Sequence, residues 1–308
     1  MDKEITFAIA YDFDGTLSNH NMQEYDFIPK LGVTAGDFWK EAAEIGIKHN
    51  ADHILSYMYL MIKKATAADI PIRREDFVNN GKKITLFPGV DTWFDRINEF
   101  GKSIGVNVEH YIISSGLKEI IEGSPINGKF KKVFASSFMY DANGVACWPA
   151  QAVNYTTKTQ YLFRINKGAF DESENATVNR YIPDEQRNIP FNRMLFIGDG
   201  STDIPCFRVM NNLGGHSIAV YDDNNPNGKN NVKDICASGK RASLIFKTDY
   251  SENSPIENAV KAILKKAVSE AEILDLIQKT RKEFGIATES CDTGYHISLK
   301  IRLTCQHE

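Results

Sequence analysis

Apolar residues cluster in short runs at Ile5–Tyr11, Tyr111–Ile113, Met194–Ile197, Ile218–Tyr221 and Leu244–Phe246, each of strand length and each separated by stretches with helical spacing. Alternation of this kind predicts an α/β fold with a mostly parallel sheet covered on both faces. Between the first two strands, from Asp26 to about Lys83, apolar positions recur at three- and four-residue intervals, as in Ile54, Met58 and Met61 with Leu55 and Tyr59. That spacing predicts a separate helical insert. Pro88-Gly89 marks the return to the main domain, and a helix over Val90–Phe100 leads into the second strand. Asn143-Gly144, between strand-like flanks in residues 130–148, predicts a β-hairpin with a two-residue turn on the same edge as the candidate site. Asp171 to Asn192 is polar and aperiodic, and reads as an inserted loop. Pro255 to about Phe284 reads as an amphipathic helix packed on the sheet. The expected organisation is therefore a core of residues 1–17 and 86–250, a helical insert of residues 18–85, and a C-terminal helical extension of residues 251–308.

Composition narrows the class without changing that outline. The chain has 308 residues, 42% hydrophobic and 25% charged, with 36 Lys+Arg against 40 Asp+Glu for a net charge of −4. A chain of this size buries a substantial core, and a near-neutral balance disfavours nucleic acid as a main partner, leaving room only for a local basic patch. The five cysteines, Cys147, Cys206, Cys236, Cys291 and Cys305, are scattered with no C-x-x-C pair, which suits free thiols in a cytoplasm. The first ten residues carry charges ahead of a short apolar run, and predict neither a leader nor a membrane span.

Four clusters lie at strand ends or helix starts, where open α/β sheets bind ligands. Asp12-Phe13-Asp14-Gly15-Thr16 follows the first strand, and its two carboxylates, two residues apart, face one side while Gly15 lets the chain turn away. Ser114-Ser115-Gly116 follows the second strand and offers hydroxyl and N–H donors to an anion. Lys158 sits among threonines at a helix start, and Gly198-Asp199-Gly200-Ser201-Thr202-Asp203 follows Met194–Ile197. Several acids with one lysine and one serine form an inventory for a phosphate and Mg²⁺.

This ordered set resembles the haloacid dehalogenase-like phosphohydrolase superfamily, and within it the phosphoserine-phosphatase-like branch, whose small helical cap follows the first motif. The resemblance covers about Phe7 to Tyr250 and rests on Asp12, Asp14, Gly15 and Thr16 for DxDGT, Ser114, Lys158, and Asp199 and Asp203 for GDGxTD. It implies a Rossmann-like three-layer core with an inserted cap. It also implies a Mg²⁺-dependent phosphatase acting on a small phosphorylated metabolite through an aspartyl-phosphate. Asp12 would be the nucleophile and Asp14 the acid and base. Thr16, Ser114, Ser115, Gly116 and Lys158 would bind the phosphate. Asp12, Asp14 and Asp199 would hold the metal, and Asp203 would orient Lys158.

Alternatives stay open at single positions: Ser115 can exchange roles with Ser114, Lys167 competes with Lys158, and Asp203 can serve as a helix cap. His49 and His53, four apart, have the spacing of a helical metal pair but lack a third ligand, so a solvated or core helix face is the better reading. Phosphoserine phosphatases carry a glutamate after the first motif and a cap arginine, where this chain has Asn21, Glu24 one turn on, and only Lys63 and Lys64 within Ser56–Lys64. Phosphoserine is thus an unfavoured substrate. Transfer to an acceptor other than water, as in mutases, and a non-catalytic binding protein keeping the fold are the rival functions. No motif residue is missing to favour the latter.

Overall fold

Strand β1 (Ile5–Tyr11) directs Phe7, Ile9 and Tyr11 into one hydrophobic cluster and Ala8 and Ala10 into another on the opposite face. A strand buried on both faces needs an almost continuous apolar sequence, which is why its composition is so uniform. The computed structural model describes residues 5–70, 72–183, 186–237 and 241–286. Cys291, Cys305 and the end of the expected C-terminal extension lie outside the described residues.

Six further strands follow: β2 (Val106–Leu117), β3 (Lys132–Tyr140), β4 (Ala146–Gln151), β5 (Met194–Gly198), β6 (His216–Tyr221) and β7 (Leu244–Lys247). They form one sheet in the order β4-β3-β2-β1-β5-β6-β7, parallel throughout except for the antiparallel β3–β4 pair. The chain runs outward from β1 through β2 on one side and from β5 through β6 on the other. The order therefore reverses at the β1–β5 boundary, where a crevice opens beyond the strands' carboxyl ends.

The helices between β1 and β2 are α1 (Phe27–Lys30), α2 (Ala35–His49), α3 (His53–Ala67), α4 (Arg74–Gly81) and α5 (Val90–Ser103). Thr34 and Asp52 cap α2 and α3, each accepting N–H groups of the first turn. Phe38, Tyr57, Met58 and Phe77 of the insert share one hydrophobic cluster with Ile9, Ile112 and Trp93 of the main domain. Insert and core thus have a common interior. The remaining helices are α6 (Lys118–Glu122), α7 (Tyr155–Lys167), α8 (Ala176–Asn179), α9 (Ile204–Asn212), α10 (Gly228–Ala237) and α11 (Pro255–Glu283).

Several expectations are corrected in detail. β2 begins five residues before Tyr111, because Val106, Val108 and His110 are buried while Asn107 is exposed, an alternation masked by the polar residues. The hairpin connection is five residues long: the Asp141 carboxylate accepts the N–H groups of Asn143 and Val145, and only Gly144 of the pair takes positive φ (+73°). The polar stretch after α7 is ordered by two cations of that helix. The buried Arg164 guanidinium donates to the carbonyls of Asp171 (2.8 Å) and Glu174 (3.1 Å), and Lys167 Nζ donates to those of Val178 (2.6 Å) and Arg180 (2.9 Å). Only the first half of α11 is packed, through Ile256, Val260 and Leu264, each burial contributing about 2 kcal/mol. Ile273 and Leu276 in the second half, and Phe284 just after it, are exposed. Among the described residues no helix is long and apolar enough to cross a membrane.

Just ahead of α11, Tyr250 is fully buried; its hydroxyl donates to the Thr16 carbonyl (2.9 Å) and its N–H to that of Pro88 (2.9 Å). Beneath β1, His110 lies between Tyr11 Oη (3.0 Å from Nδ1) and Asn98 Oδ1 (3.0 Å from Nε2). An amide oxygen only accepts, so Nε2 carries the proton and Nδ1 accepts from Tyr11, whose oxygen in turn receives Trp93 Nε1–H (2.9 Å). Burial holds the His110 pKa down to about 3, against a small opposing pull from Asp95. Between pH 6.5 and about 3 the unfolded chain takes up a proton that the folded one refuses, so stability falls as the pH falls across that window, by about 2 kcal/mol at pH 5 from this group. Urea titrations should show a shallower loss in His110→Gln than in the parent between pH 7 and 5; parallel slopes would remove His110 as the cause.

Candidate active site

The first motif begins where β1 ends. The Asp12 N–H donates to the Ile197 carbonyl (2.9 Å), continuing the β1–β5 ladder by one residue. The chain then folds back as Leu17 N and Ser18 N donate to the Phe13 carbonyl (2.8 and 3.0 Å), with Gly15 at φ +73°. Gly15 is needed twice over: a Cβ there would lie 2.3 Å from Asp199 Oδ2 as well as being strained. The turn therefore seats the Asp199 carboxylate directly on glycine, and the Thr16 hydroxyl donates to Asp199 Oδ1 (3.1 Å). That hydroxyl's single proton is turned to Asp199.

Asp12 Oδ1 accepts its neighbour's N–H, from Phe13 (2.7 Å), and Oδ2 lies 2.9 Å from Lys158 Nζ. Lys158, in the first turns of α7, is fully buried and also donates to Asp203 Oδ1 (2.7 Å), with Thr202 Oγ1 at 3.4 Å. Asp203 Oδ2 accepts the N–H groups of Asp199 (3.1 Å) and Gly200 (3.0 Å), so both its oxygens are committed. Gly198 makes room for it, since a Cβ there would come within 2.5 Å of that carboxylate. Asp203 thus both braces the loop after β5 and fixes the lysine. Its side chain gives no cap to α9.

Asp14 projects toward the insert, where Oδ1 accepts Met22 N (3.0 Å) and Ser18 Oγ (3.3 Å). The serine cluster lies within β2 at an irregularity in its pairing with β3, between Ser114 and Leu117. Gly116 N donates to Ser114 Oγ (3.0 Å), and the Ser115 carbonyl accepts from Tyr57 Oη of the insert (2.8 Å) and Ser136 Oγ (3.1 Å). The Ser115 hydroxyl is buried without a partner among the described residues. Leu117 N meets Met22 Sδ at 3.0 Å, which ties this segment to the residue that holds Asp14.

Asp12, Asp199 and Asp203 place one oxygen each within 4.8 Å of one another. Three carboxylates around one ammonium leave an excess of negative charge in a dry place. Burial, with Asp203 adding to it and Lys158 opposing, pushes the Asp12 carboxyl up to about 6. Burial and the nearby Asp12 hold Asp14 and Asp199 well above the ordinary carboxylate range. For Lys158 burial alone would lower the pKa, but Asp12 and Asp203 reverse this and raise it. A hard divalent cation suits this donor set, because only oxygens are offered and the excess charge is otherwise uncompensated. Asp203 Oδ2 already accepts two N–H groups, whereas among the described residues no oxygen of Asp12 or Asp199 has more than one partner, so these two are the carboxylates of the cluster with lone pairs left for such an ion.

The sequence profile of the haloacid dehalogenase-like hydrolases matches residues 9–208, more than half of the chain. The chain belongs to that family. A protein of Borreliella burgdorferi described as uncharacterized is 30% identical over 257 residues, covering 74% of this chain and 87% of that one. In fold the chain is similar to a probable phosphoserine phosphatase from Vibrio cholerae, at a TM-score of 0.53 and 14% identity over 87% of this chain, which spans 66% of that protein. It is also similar to a phosphoserine phosphatase in its apo form, at a TM-score of 0.50 and 16% identity over 79% of this chain and 95% of the other.

In this haloacid dehalogenase-like chain the competing candidates fall away on geometry. Lys167 is engaged with the loop after α7, far along the helix from Lys158. His49 ends α2 and His53 opens α3, both exposed, so they do not share a helical face. Glu24 Oε1 accepts from Asn21 Nδ2 (2.7 Å) and Trp39 Nε1 (2.7 Å), and Lys64 pairs with Glu41 (2.6 Å). Helical spacing makes Tyr57 a core residue or a lining of the insert's pocket, and the structure places its hydroxyl on the Ser115 carbonyl; Met22 and Ser136 escape sequence reasoning as supports of the site. Only Ser136 left a signal, a hydroxyl pair inside the apolar run of β3.

Lys158→Met would leave the buried carboxylates unpaired, and should lower stability by about 3 kcal/mol at pH 7. Denaturant unfolding measures this; a loss below about 1 kcal/mol would show that the lysine does not neutralise the cluster.

Proposed function

We propose that this hydrolase is a Mg²⁺-dependent phosphomonoesterase of small metabolites that works through an aspartyl-phosphate on Asp12. The observation that carries the reading is the pairing of Asp12, 2.9 Å from a fully buried lysine, with a second carboxyl two residues on whose pKa is raised well above the usual range. A nucleophile wants to be ionised beside a fixed cation, and a general acid wants to keep its proton at neutral pH.

In the first step a carboxylate oxygen of Asp12 bonds to phosphorus as the bond to the leaving oxygen breaks, and that oxygen takes the proton of Asp14. In the second, water gives a proton to Asp14 and bonds to phosphorus, and the bond to Asp12 breaks to release phosphate. Lys158, immobilised by Asp203, offsets charge on the transferring group, and the Ser114–Gly116 segment supplies donors to its oxygens. Asp12, Asp199 and the Asp14 carbonyl would hold Mg²⁺, which when bound offsets the charge of the phosphate dianion. Residues 18–85 serve as a cap in this reading, supported by the Tyr57 contact with Ser115. Phosphoserine is disfavoured as substrate, because Glu24 is already bound by Asn21 and Trp39. A cytoplasmic setting is the reading that suits Cys147, Cys206 and Cys236, which are unpaired among the described residues.

A panel of sugar, nucleotide and amino-acid phosphates assayed with Mg²⁺ and with a chelator should reveal metal-dependent release of phosphate, absent in Asp12→Asn. Wild-type rates in Asp12→Asn would refute covalent catalysis, and phosphoserine ranking first would refute the substrate reading. Asp14→Asn should slow alkyl esters more than p-nitrophenyl phosphate, whose leaving group needs no proton. It should also accumulate a phosphorylated protein visible by intact mass after rapid quench; equal loss for both esters with nothing trapped would move the acid elsewhere.

A further inference from the structure

Away from the Asp12 crevice, a cleft of about 560 Å³ opens beside the amino-terminal end of β3, lined among others by Arg74, Lys118, Lys131, Lys132, Phe130 and one carboxylate, Glu122. β3 runs parallel to β2, with Lys132 opposite Tyr111, so this end of the strand is the one remote from the crevice. The volume is that of a small-molecule site. Four cations line it in a protein whose net charge is −4.

Each cation has a carboxylate partner, yet in every pair the cation is the more exposed member. Arg74 is 57% exposed against 26% for Glu122, and Lys131 45% against 13% for Glu109. Glu172, 13% exposed, is shared at 3.5 Å by Lys118 (29%) and at 3.4 Å by Lys132 (28%). All four cations line the cleft, whereas of their partners only Glu122 does; Glu109 and Glu172 lie outside its lining. An ammonium has three N–H donors and a guanidinium five, so one carboxylate contact leaves several for a ligand. Pairs this exposed hold weakly and yield to a competing anion of higher charge. Val78 and Phe130 add an apolar wall to the cationic rim.

We propose that this cleft binds a short chain of phosphates, inorganic or carried by a nucleoside. Spaced cations on separate elements match successive phosphate groups better than a single carboxylate or sulfate. Arg74 comes from the insert and Lys118, Lys131 and Lys132 from the core, so the ligand bridges the two. Glu172 occupies two of the four cations from within and competes with it, while Arg164 holds the backbone on either side of Glu172 in place.

Isothermal titration of the full chain, with Mg²⁺ omitted, should give one tripolyphosphate bound with a Kd of about 10–100 μM at low salt, weakening as salt rises. The same titration with ATP distinguishes the sources: a gain over tripolyphosphate places the base against Phe130, and equal affinity points to the inorganic chain. Arg74→Gln with Lys131→Gln should weaken binding at least about fivefold while leaving phosphatase activity unchanged, and Glu172→Gln should tighten it about threefold. Asp12→Asn should bind as the parent does. No binding of either probe, or binding that ignores the cleft substitutions, would overturn the proposal and leave the assignment of the Asp12 site untouched. Absence of phosphatase activity would leave the cleft untouched in turn.

Discussion

Charge that cannot be solvated governs the centre of this molecule. Asp12, Asp199 and Asp203 converge at the ends of β1 and β5, and one ammonium reaches them from inside. A buried carboxylate without partners is costly, so each is held by N–H or O–H groups, by Lys158, or against a glycine that yields its side-chain volume. The precision of the site follows from that cost. Gly15 and Gly198 are required because the carboxylates of Asp199 and Asp203 occupy the space a Cβ would take.

The sheet supplies the rigid frame on which this charge is assembled. Its order reverses beside β1, and the residues following β1 and β5 are therefore neighbours although 187 positions separate Asp12 from Asp199. The insert is fastened to the frame in two ways: through the hydrophobic cluster it shares with β1, β2 and α5, and through the polar contact of Tyr57 with Ser115. A group positioned by the insert is thereby referenced to the strand ends.

The strand cores and the four motif clusters were legible because a parallel strand buried on both faces has a distinctive composition, and chemistry sits at its end. Resemblance alone makes Asp203 a partner of Lys158, and the 2.7 Å contact supplies the physical reason. Features fixed by distant partners left no local trace. The first half of β2 is obscured by His110, a polar residue buried because Tyr11 and Asn98 satisfy it. Order in residues 171–180 comes from Arg164 and Lys167 on the preceding helix, and a loop gripped through its carbonyls carries little sequence signature of its own. The second half of α11 has the pattern of a packed helix, but among the described residues nothing covers Ile273 or Leu276.

Tyr250 couples two distant parts of the sequence. Its hydroxyl holds the carbonyl of Thr16, inside the turn that follows the first strand, across 234 positions of sequence. β1 itself is flanked by strands that begin at Val106 and Met194. On the ribosome, where residues emerge at about 5–20 per second, the strand of this sheet that is made before the other six is thus among the last completed. For many seconds its apolar faces and the acids after it wait for partners not yet synthesised, and contacts of such long range close slowly. The segment that carries Asp12 and Asp14 is therefore the one most in need of shelter while the chain is being born.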